Sequence, residues 1–318
     1  MYAKYFSFFN SEEELLALIH SPLIKNNTRI ILGGGSNILL TESYDGLIIK
    51  NNIKGIMISD ETSDHVFVTA SAGETWHQFV LHCISNNWGG LENLSLIPGT
   101  VGAAPMQNIG AYGVEIKDVF RSLTAIHKSD GTIHTFDGEA CKFGYRESVF
   151  KHDLKDQFIV SSVTFKLTKK NHNLNASYGD IKNTLGDAPV TIQSISDAVI
   201  KIRQTKLPDP AEIGNSGSFF KNPSIKKEAF YILKKEYKSM PGYELPNKEM
   251  KVPAGWLIEQ CGWKGKRLGN VGVHDRQALV LVNFGKGTGN EIKELSIQIQ
   301  ESVLSKFKIA LQAEVNFI

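Results

Sequence analysis

The sequence predicts a protein of the α+β class, in which helices and strands build more than one domain. Strand-like apolar runs occur at residues 65–70 and 158–167. Helical spacing of apolar side chains occurs at 73–86, 194–206 and 290–307. The chain has 318 residues, which is enough for two or three domains.

A stretch rich in glycine and alanine, residues 89–118, is the segment around which the rest of the chain is organised. Between Pro98 and Gly113 it carries almost no charge. Glycine is used where the backbone takes positive φ or approaches another group closely. We therefore interpret the stretch as backbone laid against a flat or phosphorylated ligand, with main-chain N–H groups as donors. The alternative is a glycine-rich surface loop.

A second glycine-rich segment, GGGSN at 33–37, follows the short apolar strand that begins at Arg29. Free N–H groups and two short polar side chains suit a pyrophosphate. The segment does not match the GxGxxG dinucleotide fingerprint, and no clear helix follows it. Taken alone, it is interpreted equally well as a plain turn.

Composition excludes several classes of protein. Hydrophobic residues make up 42% and charged residues 21%, as in ordinary globular proteins. A net charge of +2 gives no electrostatic argument for nucleic acid or an anionic membrane. The cysteines, Cys83, Cys141 and Cys261, suit neither a disulfide framework nor a zinc site, and this favours a reducing compartment. The N-terminus lacks the pattern of a signal peptide, so we expect a cytoplasmic protein.

Turn and cap signals divide the chain further. Ser11 is a candidate N-cap for a helix over 11–19, and residues 119–136 carry a hairpin signature. The sequence Leu207-Pro208-Asp209-Pro210 ends a helix and is a candidate domain boundary. The chain closes with an apolar strand that contains Glu314.

Eight motifs occur along the chain in an order typical of one enzyme family: ILGGGSNILL, IPGTVGAAPMQNIGAYGVEIKD, YRESVFK, TKLPDP, GSFFKNP, AGWLIEQCGWKG, VHDRQALVLVN and AEVNFI. Together they resemble the UDP-N-acetylenolpyruvoylglucosamine reductases, also called UDP-N-acetylmuramate dehydrogenases. The resemblance covers nearly the whole chain.

The resemblance implies a flavoprotein of peptidoglycan precursor synthesis. It implies an FAD-binding domain in two parts, of the vanillyl-alcohol oxidase and p-cresol methylhydroxylase type, at 1–60 and 61–207. A C-terminal α/β substrate domain would cover 208–318, with its last strand returning to the active site. NADPH would reduce a non-covalent FAD, which would then reduce the enolpyruvyl group of a UDP-sugar. We expect a monomer that binds neither nucleic acid nor a metal ion and does not insert into membranes.

The resemblance also assigns residues to the cofactor. The expected FAD contacts are Gly33, Gly34, Gly35, Ser36, Asn37, Pro98, Gly99, Thr100, Gly102, Ala103, Ala104, Asn108, Gly110, Ala111, Tyr112 and Gly113. These uncharged, small or donor-rich residues suit a diphosphate and a planar ring.

Three catalytic residues follow from the same resemblance. Arg146 and Glu314 would stabilise the enediolate formed when hydride reaches the enolpyruvyl group, and Ser218 would donate the proton. Each has a structural alternative. Arg146 could form a surface ion pair, Glu314 could pair with a lysine, and Ser218 could cap the following turn. Ser216 is a near neighbour that could be mistaken for Ser218.

Substrate contacts are expected at Tyr145, Tyr178, Lys206, Asn222, Lys264 and Gln277. Tyr178 resembles the tyrosine that closes over the nucleotide diphosphate in one subtype of the family. For Lys206 and Lys264, an exposed, solvated lysine is the alternative. Other functions consistent with the FAD segments are a flavin oxidase or dehydrogenase of a small alcohol or sugar, and a binding protein without turnover.

Overall fold

The computed structural model describes residues 2–318, which divide into two compact units. The larger unit contains residues 2–36 and 44–203. The smaller unit contains residues 37–43 and 204–318. A short segment near the N-terminus therefore belongs with the C-terminal part of the chain.

The strands are β1 Ala3–Phe9, β2 Arg29–Leu32, β3 Ile38–Leu39, β4 Tyr44–Asn51, β5 Ile56–Glu61, β6 His65–Ser71, β7 Gly110–Ala111, β8 Val114–Glu115, β9 Phe120–His127, β10 Ile133–Asp137, β11 Phe158–Thr168, β12 Gly214–Ser218, β13 Ser224–Lys226, β14 Tyr243–Glu244, β15 Glu249–Lys251, β16 Arg267–Leu268, β17 Val271–Val273, β18 Val280–Asn283 and β19 Asn316–Phe317.

The α-helices are α1 Glu12–His20, α2 Pro22–Lys25, α3 Trp76–Ser85, α4 Gly138–Cys141, α5 Gly179–Leu185, α6 Ile192–Lys206, α7 Lys227–Glu236, α8 Ala254–Gln260 and α9 Gly289–Phe307. Short 3₁₀ helices occupy Glu92–Leu94, Val101–Gln107, Ile116–Asp118 and Val149–Lys151. The mixture of helix and strand confirms the predicted α+β class.

The larger unit begins with a parallel sheet of order β1-β4-β2. Helix α1 starts as the sequence predicts, because the Ser11 hydroxyl accepts a hydrogen bond from the Glu14 N–H at 3.2 Å. Leu15 and Ile19 of this helix are buried with Leu47 and Ile49 of β4. The apolar face of α1 therefore covers one side of the sheet.

The second sheet of the larger unit is antiparallel, with the order β10-β9-β11-β6-β5. It contains the predicted hairpin, formed by β9 and β10. Helix α3 packs in this core, where Trp76, Phe79 and Phe165 meet with ring centroids 5.1–6.1 Å apart. The glycine-rich stretch contributes Val101 and Ala104 to the same buried cluster.

The smaller unit contains a four-stranded sheet of order β12-β18-β17-β16 and an antiparallel sheet of order β13-β15-β14. Helix α9 is closed at its start by a capping box, in which Thr288 and Glu291 bond each other's backbone N–H groups. Strand β19 pairs in parallel with β3. This pairing joins residues 38–39 to the C-terminal part of the chain.

No helix among residues 2–318 combines the length and the apolar character that crossing a bilayer requires.

Candidate cofactor and active site

Two glycine-rich loops meet inside the larger unit. A Cβ atom added to Gly34 would lie 2.9 Å from the Cα atom of Gly99. A Cβ atom at Gly33 would collide with the Thr100 hydroxyl. Gly99 itself has φ +114°, which L-residues rarely adopt. Gly34 is therefore required by the approach of the two backbones, Gly33 by the Thr100 side chain, and Gly99 by its positive φ.

The 33–37 turn presents donors that the protein does not use. Within the described part of the chain, the N–H groups of Gly34, Gly35 and Ser36 donate to no protein acceptor. Gly35 has φ +68°, and no atom lies within 4 Å of the position its Cβ would take. Consecutive free N–H groups beside open space suit an anion, so the turn fits a diphosphate.

The larger unit contains a cavity of about 230 Å³, and Gly33 and Thr100 of the two glycine-rich loops are among the residues that line it. Its lining residues are Arg29, Ile30, Ile31, Gly33, Asn51, Ala72, Thr100, Gly102, Ala103, Met106, Lys128, Phe150, Leu154, Asp156, Phe158, Ile159 and Val160. Apolar walls with a few polar groups are typical of ligand pockets.

Sequence reasoning did not find the charged groups of this cavity, Arg29, Lys128 and Asp156. Burial lowers the pKa of Lys128, while the Asp156 carboxylate acts to raise it. An Arg29 Nη2 N–H donates to the Lys128 carbonyl at 3.2 Å. These residues lie on separate strands and loops, so no local motif marks them.

The free N–H groups predicted for the 89–118 stretch are only partly present, and this corrects the sequence interpretation. The N–H groups of Val101 and Gly102 donate to the carbonyls of Glu74 and Ala72, both at 2.9 Å. A Cβ atom at Gly102 would collide with Ala72. Glycine is needed at this position for packing against the turn between β6 and α3.

Asn108 holds the loop that carries Arg146. Its backbone is left-handed, with φ 44°, and its side chain is fully buried. Its Nδ2 group donates to the Gly144 carbonyl at 2.9 Å, and its Oδ1 accepts from the Lys117 N–H at 3.2 Å. Asn108 thereby fixes the chain two residues before Arg146.

Arg146 is itself in a strained conformation, with φ +56°. An Nη2 N–H donates to the Gly110 carbonyl at 2.7 Å, and the Arg146 carbonyl accepts from Lys151 Nζ at 3.2 Å. The guanidinium carbon lies 5.6 Å from the ring centroid of Tyr145. Two of the predicted site segments, 110–113 and 145–146, thus meet in the larger unit.

Ser218 and Glu314 are brought together in the smaller unit. Ser218 ends β12, and the next residue, Phe219, accepts a hydrogen bond from the Glu314 N–H at 2.8 Å. The Asn37 side chain donates to the Glu314 carbonyl at 3.2 Å. Residues separated by almost the whole chain therefore lie on neighbouring segments.

The two serines of the GNSGS segment differ in their surroundings. The Ser216 hydroxyl donates to the Ile38 carbonyl at 3.0 Å, so it serves the structure of β3. Ser218 is exposed at the end of its strand. This difference favours Ser218 as the residue that is accessible to a substrate.

The expected substrate residues are divided between the units. Tyr178 of the larger unit is 47% exposed, and its ring meets Tyr112 edge to face at 5.5 Å. In the smaller unit, Asn222 Oδ1 accepts from the Ala254 N–H at the start of α8, at 2.9 Å. Lys264 Nζ forms an ion pair with Glu259 at 3.1 Å, and Gln277 Oε1 accepts from the Leu279 N–H at 3.3 Å. Lys206 is the last residue of α6.

Buried His274 gives the smaller unit a predicted dependence on pH. Burial lowers its pKa below the usual 6.5, the Arg276 charge acts in the same direction, and Asp275 opposes it. The unfolded chain therefore takes up a proton at a higher pH than the folded chain does, so the free energy of unfolding should fall as the pH is lowered through 6.5. Urea unfolding on both sides of that pH measures the effect. The Arg276 N–H donates to His274 Nδ1 at 3.3 Å. His274→Asn, which keeps an acceptor for this N–H, should reduce the slope; an unchanged slope would contradict the assignment.

Two family models match this chain, one in its N-terminal part and one in its C-terminal part. Residues 3–137 match a family model described as an FAD binding domain. Residues 209–318 match the model of the UDP-N-acetylenolpyruvoylglucosamine reductase C-terminal domain. A reductase of that name from Flavobacterium johnsoniae is 54% identical over 99% of this chain and 94% of its own.

The chain belongs to the UDP-N-acetylenolpyruvoylglucosamine reductase family. A second member, from Amoebophilus asiaticus, is 47% identical over 99% of this chain and 94% of its own. The crystal structure of the Thermus caldophilus reductase superposes with a TM-score of 0.66 over 98% of this chain and 90% of its own, at 23% identity. At this identity the comparison supports the fold alone.

Proposed function

We propose that this protein reduces UDP-N-acetyl-enolpyruvoylglucosamine to UDP-N-acetylmuramate for peptidoglycan synthesis, with NADPH as the reductant. The observation that carries the proposal is identity of 54% over nearly the full length with a reductase of this name. We further propose that it works as a monomer in the cytoplasm. The small net charge, +2, gives no electrostatic argument for a nucleic-acid or membrane partner.

In this proposal the loops of the larger unit hold FAD. The unused N–H groups of Gly34, Gly35 and Ser36 would bind the diphosphate, and Pro98–Ala104 and Asn108–Gly113 would line the rest of the cofactor. The cavity lined by Gly33, Thr100, Gly102 and Ala103 supports this assignment, because Gly33 directly precedes the residues with unused N–H groups. When bound, FAD supplies a two-electron carrier that passes hydride from NADPH to the enolpyruvyl carbon.

Arg146 and Glu314 would act on the charge that this transfer creates. Hydride addition to the terminal carbon leaves negative charge on the adjacent carbon and in the carboxylate. The planar guanidinium of Arg146 stays charged and pairs with a carboxylate in two places. Its loop is held by Asn108 and Lys151, which supports a preorganised cation, the arrangement that lowers a barrier most.

Ser218 would deliver the proton that completes the reduction. A serine hydroxyl is a weak acid, but an enediolate carbon is a strong enough base to accept from it. Placement then limits the rate more than acidity does. The hydrogen bond from the Glu314 N–H to the Phe219 carbonyl supports this role, because it keeps Ser218 beside Glu314.

The nucleotide parts of substrate and NADPH would bind through Tyr145, Tyr178, Lys206, Asn222, Lys264 and Gln277. Lysines and amides suit diphosphates because they supply donors and positive charge. Tyr178 would close over the diphosphate of the substrate, and its exposed ring supports that role.

Spectroscopy of the purified protein tests the proposal directly. The preparation should be yellow, should bleach anaerobically with NADPH, and should regain its colour when the enolpyruvyl nucleotide sugar is added. A colourless protein that takes up no FAD contradicts every flavin function. Colour that returns only with oxygen identifies an oxidase of the same fold instead.

A further inference from the structure

Leu96 is a strained residue immediately before the loop that meets the 33–37 turn. It has φ +58°, a conformation that costs energy for a branched side chain. Ile97 and Pro98 follow, and then Gly99, whose backbone approaches Gly34. The conformation of Leu96 therefore sets the direction in which this loop starts.

Side chains of α3 and α6 hold three consecutive residues of this segment. Trp76 Nε1 donates to the Leu94 carbonyl at 2.9 Å. The hydroxyls of Ser95 and Ser196, both buried, lie 2.8 Å apart.

At Leu96 both backbone groups are bound by side chains. His77 Nδ1 accepts from the Leu96 N–H at 2.9 Å, and Arg203 Nε donates to the Leu96 carbonyl at 3.1 Å. A strained backbone conformation persists only where surrounding contacts hold it, and these two hydrogen bonds are such contacts.

The hydrogen bond fixes the protonation state that His77 must have. Nδ1 accepts, so the ring is neutral and its proton is on Nε2. Burial lowers the pKa of His77, and the positive charge of Arg203 acts in the same direction. Arg203 is the charged group that faces the ring, from α6. The surroundings thus favour the accepting form.

We infer that His77 is a positioning residue of the cofactor site: by holding Leu96 in the left-handed conformation, it sets the 97–104 loop for FAD before the cofactor binds. The inference rests on the proposed flavin function. It assigns a positioning role to a helix residue that lies outside both glycine-rich segments.

Titration of the apoprotein with FAD, followed by quenching of flavin fluorescence, tests this role. His77→Leu keeps the volume but removes the acceptor, and should raise the Kd for FAD about tenfold, the scale of one strained residue. His77→Asn retains an acceptor oxygen at the position of Nδ1 and should restore binding. His82→Leu, on an exposed part of the same helix, is the matched control and should leave the Kd unchanged.

A second substitution separates positioning from general stability. Glycine adopts positive φ without strain, so Leu96→Gly should reduce the effect of His77→Leu on the Kd. An effect of His77→Leu on the melting temperature of the apoprotein alone, with an unchanged Kd, overturns the inference. Failure of the wild type to bind FAD would instead overturn the proposed function.

Acidification gives a test that does not require the leucine variant to fold. Protonation of His77 removes the acceptor, so the Kd of the wild type for FAD should rise as the pH falls through the pKa of folded His77, which lies below the usual 6.5. Asparagine does not titrate, and His77→Asn should show a smaller rise. Identical pH profiles for the two proteins would overturn the inference.

Discussion

Replacement of Ser218 by alanine should leave reduction of the flavin by NADPH at its normal rate. It should slow reoxidation by the enolpyruvyl substrate by about three orders of magnitude, the scale of a lost general acid. Only the second half-reaction places a proton on carbon, so only that step needs the hydroxyl. Anaerobic stopped-flow absorbance measures the two half-reactions separately.

Ser216→Ala is the matched control for this experiment. It removes a hydroxyl two residues away whose hydrogen bond goes to the Ile38 carbonyl. Loss of that bond should lower the free energy of unfolding by about 1 kcal/mol and leave both half-reactions intact. Normal turnover by Ser218→Ala would remove Ser218 from its proposed role. Equal slowing by both variants would indicate a structural effect on β12.

The glycine-rich loops could be predicted from the sequence because the need for glycine shows in the residue type itself, even where the contact is with a distant segment. Only glycine accepts the φ of Gly99 or the approach of the Gly34 backbone, so the residue type records the geometry. Helices α1, α3, α6 and α9 could be predicted because caps and apolar spacing are local signals. Helix α9 begins one residue before the start predicted for it and ends at the predicted Phe307.

Other parts of the candidate site depend on contacts between distant segments, which the sequence does not display. Nothing around Leu96 marks it as left-handed, because the side chains that stabilise it come from α3 and α6. Lys128 lines a cavity whose other walls lie on distant strands. The N–H groups of Val101 and Gly102 are used by Glu74 and Ala72, and this pairing appears only in three dimensions.

The segment 37–43 shows the same limit at the level of domains. Its sequence continues the GGGSN turn, yet it belongs to the smaller unit. Pairing of β3 with β19 and the bond from Ser216 to Ile38 explain the placement. A long-range parallel pair of two residues leaves no periodic pattern, so sequence reasoning assigned this segment to the N-terminal domain.

Gly34→Ala should abolish most FAD binding through a single added methyl group. Its Cβ atom would lie 2.9 Å from Gly99 Cα, and neither backbone can rotate away as a flexible side chain would. The two loops must separate, which displaces the N–H groups of Gly34, Gly35 and Ser36. Hydrogen bonds to charged groups contribute about 1.5–3 kcal/mol each, so loss of one or two should raise the Kd about a hundredfold. Equilibrium titration of the apoprotein with FAD measures this change.

Gly138→Ala is the control for the added methyl group, since no atom lies within 4 Å of its Cβ position and its φ is not positive. It should bind FAD like the wild type. Gly34 is exposed, so the alanine variant should keep its circular dichroism spectrum and its apoprotein melting temperature within a few degrees. Wild-type affinity in a folded Gly34→Ala protein would mean that the diphosphate does not bind at this turn. The close contact of the two loops would then serve packing alone.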